Sequence, residues 1–344
     1  PIPGIADAIK PLPHEQYKIT LDITQLLYDG GATKAARTLE NASLKVNEKQ
    51  TETDLYKLRL QVNTYFFTIL ILDKQRESLE GFREVIKKRI SSMESALRNG
   101  VILPSDIDVM KAERLKLNQQ IKDIEIKRNT LLKILSDISG LTIGSDSRFI
   151  MPELTLPVSP SLSRPELQSI DLRKEQLSAG SKLAQSKRIP KAYSFATLGY
   201  GNPPGNNFLK DEFAPFYILG AGIKWNIFDW NRVKNEKQII SLEQSIIDKR
   251  KTDLEESLLR LLESKKAEIA SLESQIESDR ELIELRKKIS ASATSQYENG
   301  IITATELLNE LNAEQQAKVT HELHNISLAM AKAEYMNISG NDIK

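Results

Sequence analysis

The sequence contains no cysteine, which excludes disulfides, a thiol nucleophile and any thiolate-ligated metal. It is also poor in chain breakers: 15 of 344 residues are glycine and 13 are proline, while 40% are hydrophobic. That composition excludes a disordered chain. Charge of one sign is missing too, because 48 basic residues against 47 acidic ones leave a net +1. A nucleic-acid surface needs a clustered basic excess, so no nucleic-acid partner is expected. Finally, no long hydrophobic run exists. The longest, from Tyr65 to Leu72, contains Thr68 and ends at Asp73-Lys74, far below the ~20 residues of a membrane-spanning helix. Such a chain can cross a bilayer only as a closed β-barrel.

Catalytic constellations are equally absent from the sequence. The only histidines are His14, His321 and His324. His321-Glu322-Leu323-His324 spaces its histidines three apart, whereas a zinc-protease helix needs four. The glycines between positions 199 and 205 fall in a turn-rich loop and form no phosphate cradle. No metal, cofactor or enzymatic activity is expected.

What is present is a repeat with an offset of 200 residues. Tyr17 matches Tyr217, Ile23 matches Ile223, Tyr28-Asp29 matches Phe228-Asp229 and Lys34 matches Lys234. Asn99-Gly100-Val101-Ile102 matches Asn299-Gly300-Ile301-Ile302, and Ile138-Ser139-Gly140 matches Ile338-Ser339-Gly340. Identity between these landmarks is low, so a duplicated architecture has kept its punctuation while its helix surfaces drifted.

Each copy opens with period-two alternation, expected as strands over 16–29 and 215–229. In the second, Tyr217, Leu219, Ile223, Trp225 and Ile227 form the apolar set, the length and pattern of a lipid-facing barrel strand. A further strand is expected over 191–201, after Pro190 and a helix over 164–187. Long helices follow, over 32–98 and 233–298, without proline and with Gly81 as the only glycine. At 1.5 Å per residue each extends roughly 100 Å. Apolar residues at three- and four-residue intervals, such as Leu55, Leu58, Val62, Tyr65, Phe66 and Ile69, give a seam for neighbouring helices.

Asn99-Gly100 and Asn299-Gly300 are expected to stop these helices, glycine taking the left-handed position. Ser105 and Thr305 are read as N-caps of return helices over 105–138 and 305–337, with Asp106 and Glu306 complementing the helix dipole. The first repeat thus occupies 1–140 and the second 164–340, with a linker at 141–163 and tip turns at 99–105 and 299–305. The return helices are half as long as their partners, so short helices stacked end to end would match one long one and build a segment of helical wall.

Strand, aromatic-Asp, long helix, Asn-Gly turn and half-length helix, all duplicated, resemble the TolC-type outer membrane efflux protein family. The best match is to that family's turn signature, read here as Tyr297-Glu298-Asn299-Gly300-Ile301-Ile302-Thr303-Ala304-Thr305-Glu306-Leu307-Leu308. Ile227-Phe228-Asp229 and Leu27-Tyr28-Asp29 resemble its Ile-Phe-Asp motif, and Asn63-Thr64-Tyr65-Phe66 its Ala-Tyr-Phe segment. The resemblance implies a mostly α chain with a small β part. Three copies would form a twelve-stranded β-barrel continuous with a periplasmic α-helical barrel. It also implies a passive export duct, part of a tripartite efflux or type I secretion system. A full member begins with further segments, so the counterpart of residues 164–201 in the first copy is expected ahead of residue 1. Barrel physics agrees with the trimer: four strands cannot close, eight leave an interior filled by side chains, and twelve could leave a lumen.

The implied partners are a homotrimer, outer membrane lipid, a periplasmic adaptor (a membrane fusion protein) and, through it, an inner-membrane pump. By the resemblance, Glu306 and Asn309 match the acidic constriction, Asn309 being an amide where an acid is expected, and in a trimer three Asp106 would stand with three Glu306 near the end of the tube. The plainer reading of the two acids is helix-dipole complementation. Asn99, Gly100, Val101, Ile102, Asn299, Gly300, Ile301 and Ile302 match the adaptor-docking tip, and apolar residues at an exposed turn suit a partner surface. The competing class, a soluble coiled-coil scaffold, explains the helices but not strands recurring at the same place in both copies.

Overall fold

The computed structural model describes residues 15–100, 102–157, 162–207 and 210–341. Its elements run β1 (Tyr17–Tyr28), α1 (Ala32–Arg98), α2 (Pro104–Ser139), α3 (Pro165–Ser186), β2 (Lys191–Asn202), β3 (Ala214–Lys224), α4 (Arg232–Glu298) and α5 (Ala304–Ser339). The 200-residue offset holds to the residue at the starts of α1 and α4 and of α2 and α5. Among the described residues no helix is long and apolar enough to cross a membrane. The chain divides into two units, Pro1–Glu48 with Ser169–Lys251, and Lys49–Gln168 with Thr252–Lys344.

The first unit holds an antiparallel sheet in the order β1-β2-β3. Register decides its character, since side chains alternate between faces. Leu21 pairs with Leu198, which pairs with Tyr217; Ile23 pairs with Ala196, which pairs with Leu219. The apolar sets of all three strands therefore share one face, and they are exposed: Ile19 at 81%, Tyr217 at 73% and Ile223 at 76%.

The other face carries Lys18, Thr20, Asp22, Thr197, Lys191 and Lys224, with three rings laid over glycines. A Cβ at Gly222 would lie 2.7 Å from the Tyr193 ring, one at Gly220 2.4 Å from that of Phe195, and one at Gly199 2.3 Å from that of Phe216. Those glycines exist to admit the rings.

The last strand stops at Lys224 rather than continuing to 229. Its partner β2 begins at Lys191, after Pro190, so residues beyond Lys224 have no strand to pair with. Trp225 and Ile227 accordingly lie past the sheet, and the Trp225 indole donates to the Arg188 carbonyl at 3.0 Å.

At the start of α1, the Asp29 carboxylate accepts from the backbone N–H of Gly31 (2.8 Å) and Thr33 (2.6 Å). Asp229 likewise accepts from Val233 at 3.2 Å. The aromatic-Asp motif is thus a helix-capping device that satisfies otherwise orphaned amides. Between each Asp and its helix the backbone is left-handed, at Gly30 and Gly31 (φ 70° and 80°) and at Trp230 and Asn231 (φ 50° and 61°).

In the second unit the core follows the helices. Phe82, Ile86, Ile90 and Met93 of α1 pack with Ile107, Met110 and Leu117 of α2 and Leu307 of α5. Ile69 of α1 meets Leu132 and Leu135 of α2, and Phe67 meets Ile326 and Ala329 of α5. Leu258, Leu262, Ile269 and Leu272 of α4 meet Tyr335 and Ile338 of α5. Buried Arg128 pairs with Asp73 at 2.5 Å and donates to the carbonyls of Ser145 (2.7 Å) and Ser147 (2.8 Å), pinning the inter-repeat segment to α1 and α2.

Candidate functional site

Both tip turns reverse the chain through glycine. Gly100 and Gly300 each have φ 71°, and no heavy atom lies within 4 Å of a Cβ built on either. Conformation, not space, requires glycine there. The Gly100 amide donates to the Leu97 carbonyl at 2.9 Å, and that of Gly300 to Tyr297 at 3.0 Å. The Ile301 amide reaches back to Gln296 at 2.9 Å, and the Asn299 side chain donates to the Ser295 carbonyl at 2.8 Å. The last carbonyls of α4 are thereby satisfied.

The return helices begin two residues earlier than Ser105 and Thr305 allow as caps. Thr303 is the N-cap of α5: its hydroxyl accepts from the Glu306 amide at 3.2 Å, and the Glu306 carboxylate accepts from the Thr303 amide at 2.7 Å. This is a reciprocal capping box. In the first copy the N-cap is Leu103, which has no oxygen to offer, followed by Pro104 in the first helical position. Only half a box remains there, the Leu103 amide donating to Asp106 at 3.1 Å. The N–H of Thr303, and then its hydroxyl, hold the Glu306 carboxyl below the usual range.

The apolar tip residues divide. Ile102 and Ile302 fold back onto the core cluster, while Leu103 and Ile301 stay exposed at 66% and 71%. Val101 lies outside the described residues. The two tips are tied by Arg89, which contacts Glu298 at 3.2 Å and donates to Thr294 at 3.3 Å. Between them lies a cleft of about 490 Å³ lined by Arg89, Met93, Ile102, Asp106, Tyr297 and Thr303, among others. Burial, reinforced by the Asp106 charge, pushes the Tyr297 phenol up. Glu306 is exposed and outside that lining; Asn309, also exposed, lines a separate cleft of about 750 Å³ with residues of α1 and α2. The structure thus brings Asp106 to the inter-tip cleft and leaves Glu306 engaged in its own helix start.

One polar group was not legible. Asp279 of α4, 8% exposed, faces two histidines of α5, with His324 Nδ1 at 2.7 Å and His321 Nδ1 at 3.9 Å. Positions 42 and 45 residues apart meet only once the hairpin has formed. No group of three or more ligating side chains able to hold a metal occurs among the described residues.

A small antiparallel sheet with one apolar face, feeding duplicated long-helix hairpins, is the fold of outer membrane channel proteins. It resembles the outer membrane protein VceC of Vibrio cholerae with a TM-score of 0.74 at 14% identity, over 96% of this chain and 80% of that one. For the CmeC outer membrane channel of Campylobacter jejuni the TM-score is 0.72 at 14% identity, over 94% and 71%. For the open state of the MtrE outer membrane channel of Neisseria gonorrhoeae it is 0.72 at 12% identity, over 96% and 81%. No curated protein matches the sequence. The family model for outer membrane efflux proteins matches residues 157–340, more than half of the chain, and the chain belongs to that family. It is a family of efflux channels, not of enzymes.

Proposed function

We propose that this chain is one protomer of a trimeric duct that carries solutes passively across the periplasm and outer membrane as the channel component of a tripartite export system. Three chains would close a twelve-stranded barrel, with the helical hairpins on its periplasmic side. The observation that carries this reading is the sheet register, which gathers the most exposed apolar residues, among them Ile19, Ile23, Tyr217, Leu219 and Ile223, on one face and puts every charged residue of the sheet, with the three rings over glycines, on the other. Lipid on one side and a wet lumen on the other require that division. A soluble scaffold gives no reason for it.

In the same reading the exposed tip residues Leu103 and Ile301, with the Asn99-Gly100 and Asn299-Gly300 turns, dock on a periplasmic adaptor. Asp106 and Glu306, three copies of each, ring the periplasmic mouth, with Asn309 one turn further along. Such a ring attracts cations and repels itself, as a gate requires.

Full-length protein extracted in detergent is expected to run as a trimer; a monodisperse monomer or dimer without detergent would overturn the duct. Leu219→Arg should weaken insertion by roughly 2–4 kcal/mol if the residue lies near the bilayer midplane, whereas Ile218→Arg, on the opposite face, should be nearly silent. Equal sensitivity at the two neighbours would refute the assignment of faces.

A further inference from the structure

Lys191 and Lys224 are directly opposed across the β2–β3 pair, on the face away from the apolar set. Like charges in that position repel, their Cβ atoms being only about 5 Å apart. Nothing among the described residues neutralises them, for neither lysine has an ion pair or hydrogen bond. The acids at this end of the sheet are already engaged: Asp29 takes the amides of Gly31 and Thr33, Asp229 faces Arg188 at 3.8 Å and caps α4, and Glu236 holds Lys187 at 3.0 Å. The only acid on the same face of the sheet, Asp22, sits opposite Thr197 and takes its hydroxyl at 2.5 Å. Thr197 lies six residues along β2 from Lys191, which is about 20 Å of strand. The place is also well fixed, because the Trp225 indole bonds the Arg188 carbonyl just beside the two strand ends.

We propose that Lys191 and Lys224 form an anion site on the lumen side of the sheet, so that the duct favours anionic solutes bearing carboxylate, phosphate or sulfate groups. The inference rests on the duct reading above, since it takes the polar face as the lumen. An oxyanion seated between two ammonium groups removes their repulsion and gains two charge-assisted hydrogen bonds. Three chains place six such ammonium groups around one ring. Their summed potential raises the local concentration of anions and lowers that of cations.

The test uses the full-length protein in planar bilayers under a KCl gradient, comparing wild type with the double variant K191Q/K224Q. The chloride-to-potassium permeability ratio, read from the reversal potential, should fall about threefold in the variant. Thermal melting supplies the second reading. Inorganic sulfate should raise the melting temperature of the wild type more than chloride at equal ionic strength, and this difference should vanish in the variant. Without sulfate the variant should melt no lower than the wild type, because a repulsion has been removed. An unchanged permeability ratio in a conducting variant overturns the anion site and leaves the duct standing. A variant that melts lower shows that a neighbouring chain's carboxylate already neutralises the pair, which also overturns it. A wild type that conducts no ions at all overturns both readings.

Discussion

The two hairpins of this chain reach one backbone by different chemistry. At the strand-to-helix junctions, Gly30-Gly31 and Trp230-Asn231 adopt the same left-handed turn. The first pair does so without strain; the second carries a Cβ where L-residues resist it. Gly30 has no such choice, since a Cβ there would meet the Ile189 side chain at 2.8 Å. At the tips, Thr303 closes a full capping box and Leu103 half of one.

The seams differ as well. Hairpin α1/α2 is sealed by Phe82, Ile86, Ile90, Ile107 and Met110. Hairpin α4/α5 adds polar contacts across its length: Arg286–Glu310 at 3.4 Å, Asp279–His324 at 2.7 Å, Lys332–Glu273 at 3.3 Å and a Ser290–Glu314 hydrogen bond. The lesson is that the backbone path was held while the means of stabilising it diverged: among the described residues the α1/α2 seam is apolar apart from the Arg128–Asp73 and Lys111–Glu94 pairs, whereas the α4/α5 seam carries directional contacts along its length.

The comparison breaks most visibly at the seams. Ile86 is fully buried, and Ile86→Ala should cost about 2–5 kcal/mol. Asp279→Ala on the other hairpin removes a buried polar contact and should cost about 1–3 kcal/mol. Melting of the detergent-solubilised protein ranks the two; an equal or reversed order would mean that the polar contacts bear as much of the second seam as burial bears of the first.

The turns come next. Gly100→Val and Gly300→Val should each cost on the order of 1–2 kcal/mol, because the left-handed conformation is the only demand on either residue. If the proposed duct is right, trimers should survive, since the helices keep their own packing, while adaptor binding in pull-down is lost. Normal binding by both variants would remove the tips from the docking surface.

The smallest effect sharpens the cap contrast. Leu103→Thr, which supplies the missing acceptor, should stabilise by about 1 kcal/mol, and Thr303→Leu should lose a similar amount. The second difference is pH-dependent. Glu306 has a depressed folded-state pKa, so its contribution is present above the ordinary glutamate value of ~4.3 and lost as pH falls through the lower one. Thr303→Leu keeps the backbone amide that donates to Glu306 and loses only the hydroxyl, so its melting gap to wild type should narrow in acid without closing; an unchanged gap would show that the Thr303 hydroxyl contributes nothing to holding the carboxylate.

Much of the architecture could be read from local signals. Helices free of proline over sixty-seven residues, glycine at the turns and a fixed offset are all one-dimensional facts. What escaped needed a second element. The cap position slipped by two because Ser105 and Thr305 look like caps, while Pro104 at the first helical position of one copy and the Thr303 hydroxyl in the other start the helix sooner. The end of β3 depends on where β2 begins. The Asp279–His324 contact and the Arg128 clamp join residues 45 and 55 apart in sequence. For the candidate gate, local sequence located Asp106 and Glu306 but not their different surroundings, the inter-tip cleft for one and a closed capping box for the other.

The rings laid over glycines make the β2–β3 hairpin self-indexing. Sliding β3 by two residues in one direction sets Tyr193 against Lys224 instead of Gly222; in the other it sets Phe195 against Ile218 and Phe216 against Thr197. Either slip keeps the apolar face intact, so burial in lipid could not correct it. The ring-and-glycine code on the opposite face tells the registers apart. The hairpin thus carries its own alignment code within two strands of one chain.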